Sequence, residues 1–488
     1  MATGCHSNGR VPTVRPGGVT GATPVPPMNL TTDEPDKDVG MHRGRGLSVA
    51  VIAVLALVLA RVAACGGGGS SGGGTQLRVL IAVDPQYPEQ QRAWLDRVKQ
   101  RFKAKSGADL TFETFASAGE EQTKIQTSIV SGDGPDVYHL GSTFTPVAFS
   151  TKGFQVLSEA DWQKIGGRGR FVPESLGMSG PDPARQIGVP VSTRPYGLVY
   201  NTAMFRAAGI AAPPTTWDEF IADAKRLTQP AAGVYGTALD YADPYDPWKF
   251  VWMFTLQGGG RLVSDDLKQA RLDSPEVAAA VGDYFDLLTR EHVVDPKSVG
   301  WRSAQALAAF LNGKAAMLPM VTPNAVPALE GSGVKGRYAF APMPLVPPGA
   351  ASRPAGGLAA GTIVSGDNIA IAGYSRQKDL ALSYLDLITS VDEQLDYSQT
   401  LGVLPANAEA AAKQAQAHPQ LAPLVAAERT AVPTTFSGAW SDVQLGLTNV
   451  VTQSLPALTG GGYDPDAVHA LLAQENQKVQ SSLNRQGR

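Results

Sequence analysis

Cysteine is almost absent from the 488-residue sequence. Cys5 and Cys65 both precede the part with regular hydrophobic periodicity, so the chain from Gln76 onward can form neither a disulfide framework nor a cysteine metal site. Histidine is also scarce. His139, His292, His418 and His469 are the four beyond Cys65, and none has a partner three or four residues away, which leaves a histidine metal site unsupported. Asp240, Asp243 and Asp246 recur every third residue but lack the alternation and glycine of a calcium loop, and read as solvated loop carboxylates. An excess of one charge is missing too: the formal net charge is −3 and no basic stripe is present, which argues against nucleic acid. The apolar run from Leu47 to Ala60 is too short to span a bilayer comfortably. No Gly-x-Ser-x-Gly elbow and no glycine-rich phosphate loop with lysine stands out. An enzyme is therefore not expected, although a carboxylate pair for glycoside hydrolysis depends on folding and is not excluded by sequence.

Residues 1–40 are rich in Pro, Gly, Thr and Asp without apolar periodicity, so they read as a disordered extension or as sequence ahead of a start at Met41. Residues 41–64 carry Arg43 and Arg45, the apolar run, and then Val62-Ala63-Ala64 before Cys65. This stretch resembles a bacterial lipoprotein signal peptide with its lipobox, from which it departs at Arg61 and Val62. The resemblance implies lipidation of Cys65 and anchoring at the extracytoplasmic face of the cell membrane, with an uncleaved anchor helix as the alternative. Residues 65–75 are a Gly/Ser tether, whose reach as a flexible coil of about ten residues is on the order of 15–20 Å.

From Gln76 the pattern alternates between strands and helices. Leu77 to Val83 reads as a buried strand, Gln90 to Lys105 as a helix with Trp94, Leu95, Val98 and Phe102 on one face, and Leu110 to Phe115 as a second strand. Gly132-Asp133-Gly134-Pro135 is turn chemistry ahead of a short strand from Asp136 to Leu140. Thr216 with Glu219 forms a capping box at the start of a helix running to about Leu227. Roughly four hundred residues remain after the tether, long enough for two lobes with separate cores.

Four landmarks occur in order: Ser131 to Val137, Gly197-Leu198-Val199-Tyr200-Asn201, Pro214 to Glu219, and Phe310 to Met317. Together they resemble the extracellular solute-binding proteins of bacterial ABC sugar importers, of the maltodextrin and multiple-sugar type, from about Gln76 to Leu483. The resemblance implies an α/β, two-lobe periplasmic-binding-protein fold of type II, each lobe a mostly parallel sheet flanked by helices, with a multi-crossing hinge. The first lobe takes residues 76–190 and 346–395; the second takes 191–345 and 396–488, with Gly402-Val403-Leu404-Pro405 marking the last return to it.

By the same resemblance the protein is a monomeric carrier without a cofactor. It captures a small carbohydrate or polyol and delivers it to the permease subunits of an ABC importer. A glycerophosphodiester carrier, a ligand-sensing surface lipoprotein and a glycoside hydrolase are the alternatives. Aromatic rings flat against sugar faces are implied at Trp440 and Tyr245, with Trp248 and Trp252 one helical turn apart just beyond, and core packing is the other fate open to each tryptophan. Arg194 falls at the first crossing, where it holds hydroxyls or forms an interlobe salt bridge. Tyr87 and Tyr138 stand at strand ends, and Asp367 and Asp442 are acceptors for sugar hydroxyls. Two departures speak against a maltodextrin. His139 and Leu140 stand where relatives carry tryptophan, and so do Pro319, Met320, Val321 and Pro323 after Met317.

Overall fold

A computed structural model describes residues 75–84, 86–116 and 118–486. Cys65 and the signal-like segment lie outside the described residues. Among the described residues no helix is long and apolar enough to cross a membrane. The strands are β1 (Gln76–Ala82), β2 (Asp109–Phe115), β3 (Val137–Gly141), β4 (Gly188–Thr193), β5 (Gly197–Asn201), β6 (Tyr235–Thr237), β7 (Ala315–Val321), β8 (Tyr338–Ala341), β9 (Gly366–Ile371) and β10 (Leu404–Pro405). They form a six-stranded sheet, β10-β4-β9-β3-β1-β2, and a four-stranded sheet, β6-β7-β5-β8.

The larger sheet grows from the alternation seen in the sequence. β1 buries Leu77, Val79, Leu80 and Ile81, and pairs parallel with both β2 and β3. The helix Pro88–Ser106 lays Trp94, Leu95, Val98 and Phe102 on the core and stops at Gly107, which takes the left-handed conformation at φ 73°. In the other lobe, Thr216 and Glu219 form the capping box at the head of helix Trp217–Leu227. The Glu219 amide donates to the threonine hydroxyl at 3.1 Å and the Thr216 amide donates to the Glu219 carboxylate at 3.1 Å.

Two expectations need correction. The sheets are mixed rather than mostly parallel. β9 enters the larger sheet between β3 and β4 and runs antiparallel to both, because it arrives from the smaller sheet and not through a helical crossover. The smaller sheet has β5 antiparallel to β7 and β8, with β6 parallel to β7. The segment at Gly402–Pro405, expected to open the last return to the second lobe, instead pairs with β4 in the larger sheet as β10. After Gly402 caps the helix Val391–Leu401, the apolar pair Val403 and Leu404 is buried by continuing along β4, and Pro405 is tolerated at this edge, where its missing N–H breaks no central ladder. Helix Ala408–Ala417 packs beside β10, and the chain reaches β5 and β8 with the helix Ala422–Glu428.

The first two crossings lie side by side. The Arg194 amide donates to Ser365 O at 2.9 Å and the Tyr196 amide to Thr362 Oγ1 at 2.7 Å, so the outgoing and returning chains are stitched together. Gly366, opposite Thr193, has φ 152°, and a Cβ there would stand 2.0 Å from Ser192 O. Only glycine lets β4 and β9 come this close where the chain leaves the sheet.

Candidate functional site

At the crossing, β4 and β9 present a compact polar group. Arg194 and Asp367 form a bidentate pair, Nη1 to Oδ1 at 2.8 Å and Nη2 to Oδ2 at 2.7 Å. The Ser192 hydroxyl donates to Asp367 Oδ2 at 2.8 Å, and the Tyr397 hydroxyl reaches the same oxygen at 3.4 Å. Burial by itself would lift the Asp367 carboxyl, but the Arg194 charge and hydrogen bonds, with Ser192, outweigh it and hold the group below the usual carboxylate range. Nearby, Glu121 in the first turn of the helix Ala118–Ser131 is only 6% exposed and its Oε1 has no partner; burial, aided by the Asp367 charge, pushes it up to about 8.

A cavity of about 230 Å³ opens beside Arg194 and runs between the two sheets' ends. Gln86 and Arg194 line it from the larger-sheet side, while Asp240, Asp246, Lys249 and Asn324 line it from the other. Its apolar wall includes Met320, in a bulge of β7 where Gly197 pairs with Val321 but Val199 with Leu318. Met320 there takes φ 55°, a left-handed conformation that a non-glycine residue adopts only when its surroundings impose it. Pro319 and Met320 thus shape this part of the wall without an aromatic ring.

On the smaller-sheet side, Lys249 is ion-paired with Asp246, and its Nζ lies 4.8 Å from the centre of the Tyr196 ring and 5.3 Å from that of Tyr245. Burial opposes the ammonium charge, yet Asp246 and the flanking tyrosines more than offset it and keep the group protonated. The expected solvated character of the aspartate trio is corrected, since Asp240 and Asp243 are buried. Asp243 accepts backbone N–H bonds from Tyr245, Asp246 and Ser303 at 2.9 to 3.1 Å, so it shapes the loop. Burial, then the charges of Asp246 and Asp243, push Asp240 well above the ordinary carboxylate value. The three carboxylates approach within 4.8 Å, but Lys249 already supplies the group with a cation.

The structure divides the residues picked out from sequence. Arg194 and Asp367 meet, and Tyr245, 47% exposed, stands at the Lys249 edge of the cavity. Tyr87 reaches across between lobes, where its hydroxyl donates to Asn324 O at 2.8 Å, and Asn324 Nδ2 donates to Gln86 at 3.2 Å. The three tryptophans are corrected. Trp248, Trp252 and Trp440 are wholly buried in the second-lobe core, where Trp248 meets Trp440 edge to face at 5.8 Å. Their helices turn these rings inward because that is where their large apolar area is removed from water. Tyr138 is corrected as well: it sits early in β3 and packs against Phe154, and its hydroxyl is 2.6 Å from that of Tyr374, away from the strand's exit. Asp442 is half-buried in the first turn of helix Trp440–Thr459. Lys249 and Tyr196, which line the cavity, were not singled out from sequence, and Asp240 was read there as a solvated loop carboxylate. Lys249 left a signal, being the one charged residue in the otherwise apolar run Trp248–Gln257.

Comparisons with known proteins agree with this architecture. The chain is 27% identical over 402 residues to the diacetylchitobiose binding protein DasA of Streptomyces coelicolor, covering 79% of this chain and 86% of that protein. A solute-binding protein of an ABC transporter from Agrobacterium radiobacter K84, solved with ribitol, superimposes with a TM-score of 0.69 over 84% of this chain and 99% of its own at 20% identity. One from Thermotoga lettingae TMO, bound with α-D-tagatose, gives 0.68 over 83% and 100%, also at 20% identity. These two likenesses establish the fold. The family model of the bacterial extracellular solute-binding protein matches residues 85–395, and with the two sheets, the repeated crossings and the polar cavity between them, the chain belongs to that family.

Proposed function

We propose that this protein is the capturing component of an ABC importer for a small, uncharged, polyhydroxylated solute, a sugar or polyol, which it carries unchanged to the permease subunits while anchored through a lipid on Cys65. The observation that carries this reading is the pairing of charge around the cavity. Arg194 is matched by Asp367 and Lys249 by Asp246, leaving donors and acceptors but no net field for an anion or cation to answer. A hydroxyl group needs both a donor and an acceptor, and this lining offers both. The relatives named above, associated with diacetylchitobiose, ribitol and tagatose, support the same class.

Ligand contacts from one lobe alone do not favour closure. Only a solute held by both, by Gln86 and Arg194 on one side and Lys249, Asp240 and Tyr245 on the other, pulls the lobes together. Titration calorimetry with N,N′-diacetylchitobiose, D-tagatose, ribitol and glycerophosphocholine tests the reading. Binding of at least one of the first three with no heat from glycerophosphocholine is expected; binding of the phosphodiester alone would overturn it.

A further inference from the structure

Helix Trp248–Gln257 is buried along its whole length, and Lys249 is its single charged residue. An ammonium in such a setting is costly to desolvate unless its charge is held. Asp246 holds it, from within the same turn, and the side chain is left 8% exposed toward the cavity that both residues line. The Tyr196 and Tyr245 rings flank the Nζ at 4.8 and 5.3 Å and fix where it points. Asp240 lines the same cavity at 8% exposure, and its carboxyl takes no hydrogen bond from another described residue. Buried polar groups are nearly always bonded, so an acceptor left over at a cavity wall is an acceptor for what enters the cavity.

Resting on the sugar or polyol reading, we infer that Lys249 and Asp240 form the subsite that orients the captured solute, by gripping two neighbouring hydroxyl groups of an uncharged sugar or alditol. The ammonium only donates, whereas the Asp240 carboxyl, held well above the ordinary carboxylate value, keeps its proton and, like each hydroxyl, both donates and accepts. A vicinal pair therefore closes the circuit: one hydroxyl accepts from Lys249, and its neighbour shares a hydrogen bond with the Asp240 carboxyl. A carboxylate or phosphate entering here meets Lys249 but is repelled by Asp246, and a cationic amine meets the reverse. The Tyr245 ring, exposed beside Lys249, covers the apolar C–H side of the same unit.

The test is calorimetry on the full-length wild-type chain and on Lys249→Met, Lys249→Arg and Asp240→Leu, each with N,N′-diacetylchitobiose, D-tagatose and ribitol. Lys249→Met keeps the length of the side chain, and Asp240→Leu keeps most of the bulk while removing the carboxyl. For the probe bound best by wild type, Lys249→Met should lose about 10- to 100-fold in affinity, the range of a hydrogen bond to a charged group, and Asp240→Leu about 3- to 10-fold, the range of a neutral one. Lys249→Arg should recover part of the first loss, and the ranking of the three probes should change in Lys249→Met. Unchanged affinity and ranking in Lys249→Met and Asp240→Leu would overturn the subsite while leaving the carrier reading intact. Binding of none of the three probes by wild type would overturn both. Should Lys249→Met fail to fold, Asp240→Leu decides the matter by itself.

Discussion

The polar groups on the two sides of the cavity are built from similar residues and end in different states. On the larger-sheet side, the oxygens of Asp367 are taken up by Arg194, Ser192 and Tyr397, so the cluster is closed on itself. On the smaller-sheet side, Lys249 is paired with Asp246, but Asp240 is left with no donor from another described residue. A saturated network fixes geometry, here the place where the chain crosses between sheets. An unsaturated one at a cavity wall is poised to bind. Residue type therefore tells less than the partners each group has: the arginine–aspartate pair is closed on itself, while the lysine beside the tryptophans stands at a cavity wall next to a carboxyl without a donor.

Substitutions can break this contrast, and the largest effect should come from the core behind the open cluster. Trp440→Ala removes a wholly buried ring that supports Trp248, and should cost about 3–5 kcal/mol in urea unfolding while the folded fraction binds its solute normally. Intact stability with lost binding would return Trp440 to the site.

Next in size is the exception on the closed side, Glu121. Its carboxyl is raised to about 8 against an ordinary 4.5, so its stabilising contribution is complete below pH 4.5 and is lost as pH rises toward 8. Glu121→Gln stays neutral, and should be more stable than wild type by roughly 2–4 kcal/mol at pH 8 and no more stable at pH 4. His139, lowered to about 4 by burial, loses stability in the opposite direction, as pH falls from 6.5 toward 4, and is common to both proteins. A pH-independent difference in unfolding free energy would show that Glu121 is ionised in the fold.

Arg194→Ala breaks the ion pair with Asp367. The pair is about a quarter exposed on the arginine side, so the loss should be roughly 1–3 kcal/mol of stability, below that of a fully buried pair, and it should be smaller in an Asp367→Asn background. Equal losses in both backgrounds would mean the two side chains do not act together. Smallest of all, Tyr245→Ala should leave the unfolding midpoint in place and weaken solute binding by about 1 kcal/mol, the worth of one ring contact. A shifted midpoint without an affinity change would mark the ring as packing.

Much of this was legible along the chain. The helix face of Trp94, Leu95, Val98 and Phe102, the capping box at Thr216 and Glu219, and Arg194 at a crossing all depend on spacing of a few residues, which sequence displays directly. The tryptophans were not legible, because a ring beside a ligand and a ring in the core differ only in how the helix is turned. β10 was not legible either: Val403 and Leu404 are apolar enough for either lobe, and only their fit along β4 selects one.

Sequence by itself determined the alternation of elements, the lack of a thiol beyond Gln76, and the family to which the landmarks belong. These follow from local periodicity, composition and the order of short motifs. Tertiary structure alone decided that the sheets are mixed, that Trp248, Trp252 and Trp440 are core, and that Asp240, Asp246 and Lys249 meet at the cavity. The physical reason is that burial and hydrogen-bond satisfaction are sums over neighbours distant in sequence, so a side chain's role is fixed only when the chain has closed around it.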